Sequence, residues 1–258
     1  MAGEVFNRYE NKYLLDEKTF EKLRRRLCDY MEPDRHNRQR GAYTVANLYY
    51  DTDDSHLIRT SLQKPKYKEK LRLRAYGVPD KGERVYAEIK KKVAGLVNKR
   101  RSALTLSSAY RFLDTGILPA EEPCQNRQVL HEIAYIRSRQ ALAPALYLAY
   151  DRVACFGIGQ HDLRVSFDTN IRSRRCDLAL EAGDYGESLL EQGVWLMEIK
   201  VAQSIPVWLC RLLSEYEVYA TSFSKYGTEY LRTLESAWPS PAPLDVLSAG
   251  PYPRAVNA

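Results

Sequence analysis

With 258 residues, 45% hydrophobic and 28% charged, the chain can bury one sizeable core, and a single domain over residues 1–235 is expected. No apolar run of about 18 residues and no basic-then-apolar start occurs, which speaks against a transmembrane span and a secretory leader and for a cytoplasmic protein. The 39 Lys and Arg against 33 Asp and Glu give only +6, too little to mark a nucleic-acid binder, so the placement of charge has to decide.

In chain order, Arg8, Glu10 and Lys12 fall on one side of a first strand, because residues two apart share a face. Asp16 caps a predicted helix to about Tyr30, with Phe20, Leu23 and Leu27 at helical spacing; its Arg24, Arg25 and Arg26 read as a solvated face. From Tyr67 to Tyr76, Lys68, Lys70, Arg72 and Arg74 alternate with Leu71, Leu73 and Ala75. From Arg84 to Lys92, Arg84, Tyr86, Glu88, Lys90 and Lys92 oppose Val85, Ala87 and Ile89. Lys99, Arg100 and Arg101 follow Gly95 in a dense basic run, read as a loop between strands that guides a product outward or as a solvated strand end. A second helix is expected from about Cys124 to Leu142. After it, Arg152 follows Tyr150 on one strand, Arg164, Ser166 and Asp168 oppose Leu163, Val165 and Phe167 on another, and Glu198 and Lys200 oppose Met197, Ile199 and Val201 on a third. Pro206 and Ser224 open two further helices. Between the helices the sequence reads as strands, and from Ser236 a Pro- and Ala-rich stretch reads as a flexible tail.

A single strand of this kind reads as a half-buried sheet with a wet charged face. Several in one chain read differently, because their polar faces are dominated by cations about 7 Å apart, with Glu recurring two residues before Lys. Like charges held that closely repel unless an anion sits among them. The expected fold is therefore α+β: a closed antiparallel β-barrel of about eight strands, a tunnel with its polar faces inward and amphipathic helices packed outside. Five scattered cysteines without a C-x-x-C pair point to neither a disulfide framework nor a structural zinc site.

The fragments F-N-R-Y-E-N-K-Y (Phe6 to Tyr13), K-L-R-L-R-A-Y-G (Lys70 to Gly77), Y-A-E-I-K-K (Tyr86 to Lys91), A-Y-D-R-V-A (Ala149 to Ala154), L-R-V-S-F-D-T-N (Leu163 to Asn170), M-E-I-K (Met197 to Lys200) and S-F-S-K-Y (Ser222 to Tyr226) carry a resemblance. In their order and spacing the chain resembles the VTC-type polyphosphate polymerases, a branch of the CYTH or triphosphate tunnel metalloenzyme superfamily, from about Val5 to Leu234. The resemblance implies transfer of the γ-phosphate of ATP onto inorganic polyphosphate with release of ADP, and Mn²⁺ or Mg²⁺ as cofactor. It also implies a separate membrane protein as partner, at the inner face of a membrane. Hydrolytic members carry E-x-E-x-K on the first strand, whereas this chain reads Arg8, Glu10 and Lys12. A cation in place of a carboxylate weakens a two-metal hydrolytic site and favours phosphate binding.

On this reading Lys200, Arg164, Arg152 and Lys90 are the expected catalytic cations. Lys12, Arg72, Arg74, Arg8, Lys225, Lys99 and Arg100 bind ATP and the phosphate chain, guanidinium groups gripping two oxygens at once. Glu198 is the first expected metal ligand, with Glu10 and Glu88 as further ligands or as partners that orient lysines. Tyr86 and Tyr150 share faces with the cations and suit adenine stacking, phosphate hydrogen bonding or packing. His36, His56, His131 and His161 lie outside the matched motifs and read as structural. A tripolyphosphatase or nucleoside triphosphatase of the same fold, and a silent polyphosphate or inositol polyphosphate binding module, are the alternatives; no nucleic acid is expected as partner. No P-loop or dinucleotide-binding turn is present.

Overall fold

The computed structural model describes residues 9–34, 37, 41–93, 96–120 and 125–237. Arg8, His36, Gly95 and Cys124 lie outside the described residues, as does the tail expected from Ser236 except for Ser236 and Ala237, which end a helix instead.

The chain starts with β1 (Tyr9–Asp16), and Asp16 then turns it into α1 (Glu17–Leu27) by accepting the Thr19 N–H at 2.7 Å. β2 (Met31–Pro33) and β3 (Tyr43–Asp51) follow, then α2 (His56–Leu62). This helix is absent from the sequence expectation, because its cap is not local. Ser55, at φ 58°, makes no side-chain cap, and the Asp51 carboxylate instead accepts the N–H groups of Leu57 and Ile58. β4 (Tyr67–Tyr76), β5 (Arg84–Val93) and β6 (Leu96–Thr105) form a meander. The basic run at 99–101 is thus part of a strand. α3 (Leu106–Thr115), also unexpected, is capped by Thr105 and ended by Gly116 at φ 77°. α4 (Arg127–Arg139), β7 (Ala143–Gly157), β8 (Gln160–Arg174), β9 (Glu187–Ser188), β10 (Val194–Val201), α5 (Val207–Glu215) and α6 (Lys225–Ala237) complete it.

The strands form one ten-stranded antiparallel sheet in the order β1-β10-β8-β7-β3-β4-β5-β6, with β2 on β7 and β9 on β8. No ladder joins β1 to β6 among the described residues, so the sheet is curled rather than hydrogen-bonded into a ring. The curl is nevertheless tight: Glu10 of β1 reaches Lys90 of β5 at 3.8 Å. Residues 221–224 fill the gap beside β1, where Thr221 N–H donates to the Lys12 carbonyl and Lys12 Nζ to the Phe223 carbonyl.

Alternation assigns the two faces. The convex face of β3 to β7 contributes Ala46, Leu48, Leu71, Leu73, Ala87, Ile89 and Tyr147 to a core covered by α3 and α4. That of β1, β8 and β10 packs Tyr13, Val165, Phe167, Met197 and Ile199 against α1 and α5. α6 departs from the expectation of helices outside, since its Tyr226 packs among Val45, Leu148, Tyr150 and Leu196, residues of the concave face. A bulge at Asn170 (φ 48°) shifts the alternation of β8. Arg164, Ser166 and Asp168 therefore face inward with Arg152, while Arg172 and Arg174 turn outward and strap the 175–188 segment to the sheet through the Asp184 carboxylate and the Tyr185 carbonyl. Gly186 lies in that segment against Ser173, and a Cβ there would meet the Ser173 carbonyl oxygen at 2.6 Å. Gly186→Ala should cost about 1–3 kcal/mol in urea unfolding, and an unchanged midpoint would show that the strap is not rigidly seated.

Candidate functional site

The concave face holds two carboxylate-centred clusters of cations. In the first, Glu198 of β10 lies 2.7 Å from Lys200, 3.1 Å from Lys225, 3.6 Å from Arg152 and 3.8 Å from Lys12. Asp168 of β8 binds Arg152 through two bonds of 2.6 and 2.7 Å and Lys225 at 2.6 Å. Glu10 joins Lys12, Lys90 and Lys200 at 3.4, 3.8 and 3.9 Å. In the second, Glu88 of β5 holds Arg72 at 2.9 Å, Arg74 at 3.6 Å and Lys99 at 2.7 Å. Arg72 also donates to the Tyr49 hydroxyl and Arg74 to Asn47 Oδ1. Buried Tyr150 belongs to the first cluster, its ring lying under Arg152 and Lys225, and it also feels the charge of Arg74 in the second.

Register explains the grouping. Lys12 stands opposite Glu198, Glu10 opposite Lys200, Lys200 opposite Arg164, Arg152 opposite Asp168, and Arg72 opposite Glu88. Glu10 and Glu198 each serve cations on neighbouring strands as well as the lysine of their own, whereas Glu88 serves cations of β4 and β6.

Burial opposes charge on every one of these carboxylates, and the cations outweigh it. Lys200, Lys90 and Lys12 bring Glu10 down to about 2 against the effect of burial, and Glu88, Asp168 and Glu198 are likewise lowered. On the cationic side, burial, with Arg74 and Arg72 beside it, holds Lys99 well below its usual range, and burial lowers Lys90, whereas Asp168 and Glu198 overcome burial to raise Lys225. Depressed carboxylates contribute stability that is complete above their unfolded values, 4.5 for the glutamates and 3.8 for Asp168, and is lost as pH falls towards the folded value, about 2 for Glu10. Acid unfolding should accordingly begin below about pH 4.5 and run towards about pH 2, followed by far-UV circular dichroism; a fold intact at the lower limit would contradict this linkage.

Most of the expected cations thus meet. Arg164 lies beside them at one mouth, bonded to Asp34 at 3.1 Å and stacked over Phe156. Arg100 does not join: it occupies the opposite face of β6 and pairs with Glu132 of α4 at 2.9 Å, because strand alternation separates it from Lys99 and Arg101. Tyr86 lies near that mouth under Arg101. Asp168, Asn47 and Tyr49 hold the cations in place and are missing from the expected set; the alternation of Asp168 with Arg164 was the one available signal. A depression of about 490 Å³ by Thr44, Asp151, Arg172 and Asp184 lies on the convex side, where Arg172 already binds both aspartates.

A divalent cation fits one part of this wall. Glu198 and Glu10 already share the Lys200 ammonium, and two carboxylates supplemented by phosphate oxygens and water form a donor set suited to Mg²⁺ or Mn²⁺. Glu88, 1% exposed, is held by two guanidiniums and an ammonium, the arrangement of a carboxylate that orients cations. No cluster of three or more acidic, His or Cys ligands occurs among the described residues.

Fold and site together define a class of protein: a curled antiparallel sheet whose concave wall interleaves cations with buried carboxylates. The VTC domain matches residues 7–234, and the chain belongs to the VTC-domain family. Comparison with curated protein sequences gives no match. Among solved structures, a candidate adenylate cyclase from Bacillus halodurans superposes with a TM-score of 0.53 at 18% identity, over 86% of this chain and 96% of that one, a likeness of fold alone. A candidate adenylyl cyclase from Hippeastrum, described as having a dominant triphosphatase activity, superposes at 0.49 with 16% identity over 87% and 94%. No helix among the described residues is long and apolar enough to cross a membrane.

Proposed function

We propose that this chain is a metal-dependent polyphosphate polymerase that transfers the γ-phosphate of ATP to the end of inorganic polyphosphate and releases ADP, the curled sheet serving as a tunnel for the phosphate chain. The observation that supports it is the concave wall, where Lys and Arg outnumber the carboxylates and repel one another until a polyanion enters. Membership of the VTC-domain family points the same way. Arg8, standing in sequence where hydrolytic relatives carry glutamate, favours phosphate over water as acceptor.

In this reading the terminal oxygen of the polymer bonds to the γ-phosphorus while the bond to the β,γ-bridging oxygen breaks, and ADP leaves with the electron pair. The attacking oxygen is already ionised, so no general base is needed. Charge spreads over the equatorial oxygens, and positioned cations supply the stabilisation. Lys200, Arg164, Arg152 and Lys90 serve the transferring group, while Lys12, Arg72, Arg74, Lys99 and Lys225 hold the chain and the nucleotide. Glu198 and Glu10 would hold Mn²⁺ or Mg²⁺, which when bound neutralises charge on phosphate oxygens. The setting is cytoplasmic, with a separate membrane protein receiving the polymer.

The test incubates purified protein with ATP, Mn²⁺ or Mg²⁺ and a short polyphosphate primer, resolving products by gel and ³¹P NMR. A polymer ladder with ADP is the expected result. Orthophosphate alone would replace the polymerase by a hydrolase, and binding without turnover would replace it by a silent module.

A further inference from the structure

Lys70 stands apart from the cations gathered around Glu10, Glu88 and Glu198. It lies on the concave face of β4, directly opposite Lys90 of β5, and it is half-buried. Arg72 rests on Glu88, while Lys12 and Lys90 share Glu10. Among the described residues no carboxylate lies within ion-pairing distance of Lys70. Its ammonium donates to Ser224 Oγ at 3.5 Å, and the Tyr226 ring lies 5.8 Å away.

The charged groups around it come from every neighbouring element. β4 itself presents Lys68 and Arg72, β5 presents Lys90, and β1 presents Lys12. From β3, Asp51 is the one acid near this end of the strand, and its oxygens are taken by the Tyr226 hydroxyl and the N–H groups of Thr52, Leu57 and Ile58. Glu10 of β1 is engaged by Lys12, Lys90 and Lys200.

We propose that Lys70 is a binding residue for the phosphate chain that takes up a proton as the chain enters, so that occupancy of the site is coupled to pH. This rests on the function proposed above. An ammonium surrounded by like charge and short of water is disfavoured, and an arriving polyanion reverses both conditions. Burial, then Lys90, Lys68, Lys12 and Arg72, bring the free lysine down to about 7. Since bound phosphate raises that value, the affinity due to Lys70 is fully present below about pH 7 and falls by up to tenfold per pH unit above it.

The experiment titrates the whole chain with inorganic tripolyphosphate by calorimetry, in buffers of differing ionisation enthalpy at about pH 7.5. Wild type should take up roughly 0.7 proton more than Lys70→Arg, whose guanidinium stays charged throughout. The probe's own phosphates titrate in both proteins and cancel in the difference. Lys70→Met supplies a second readout. Its affinity should be more than about tenfold below wild type near pH 6 and approach it near pH 9, and without ligand it should resist urea better than wild type near pH 6, because a half-buried charge set among like charges has gone. Equal proton uptake by wild type and Lys70→Arg, or equal affinity of wild type and Lys70→Met near pH 6, overturns this inference while leaving the proposed function standing. No binding of tripolyphosphate by wild type at any pH overturns both.

Discussion

Lys200→Ala should stop growth of the polymer ladder, with kcat reduced about 10²–10³-fold, the usual cost of removing one positioned charge donor from a developing anion. Lys200, like Lys12, contacts both Glu198 and Glu10, and it is the cation nearest Glu198. Its loss leaves Glu198 with Lys225, Arg152 and Lys12, and Glu10 with Lys12 and Lys90, so no buried carboxylate is stranded. Stability should therefore change by no more than about 1 kcal/mol. The measurement pairs single-turnover formation of ADP with urea unfolding. A variant that retains kcat within about threefold would remove Lys200 from the transferring phosphate.

Asp168→Ala should act the other way, chiefly on the fold. Asp168 is wholly buried and binds Arg152 through both oxygens as well as Lys225. Removing it leaves two buried cations beside a single remaining carboxylate, Glu198, and should cost about 3–5 kcal/mol, a large share of a domain's total stability. Urea unfolding with and without tripolyphosphate is the measurement. Part of the loss should return with the ligand, because phosphate supplies the charge that the aspartate gave. A loss below about 1 kcal/mol would mean that solvent already screens this pair.

The alternating strands were legible because period-two patterning is local. Lys70, Arg72 and Arg74 lie together on one face, as do Glu88 and Lys90 and also Glu198 and Lys200. Helix starts were legible where the cap was local, as at Asp16. α2 was not, since Asp51 satisfies its first turn from the end of the preceding strand. α3 could have been found: Leu106, Ala109, Phe112 and Leu113 have helical spacing between Thr105 and Gly116. Arg100 stands off the concave wall because strand alternation splits the run of three basic residues between the two faces of β6. The part played by Asp168 depends on which residue of β7 stands beside it, and strand register is a long-range property that no local pattern records.

The wall is riveted along its ladders but only latched where its first strand meets its fifth. That joint consists of Glu10 against Lys90, both partly open to solvent, with the 221–224 segment wedged alongside. Backbone ladders are nearly indifferent to ionic strength, whereas attraction between partly solvated charges fades over about 3 Å in 1 M salt. The girth of the molecule at that joint is consequently an electrostatic quantity, slackening in brine while the rest of the circumference keeps its gauge.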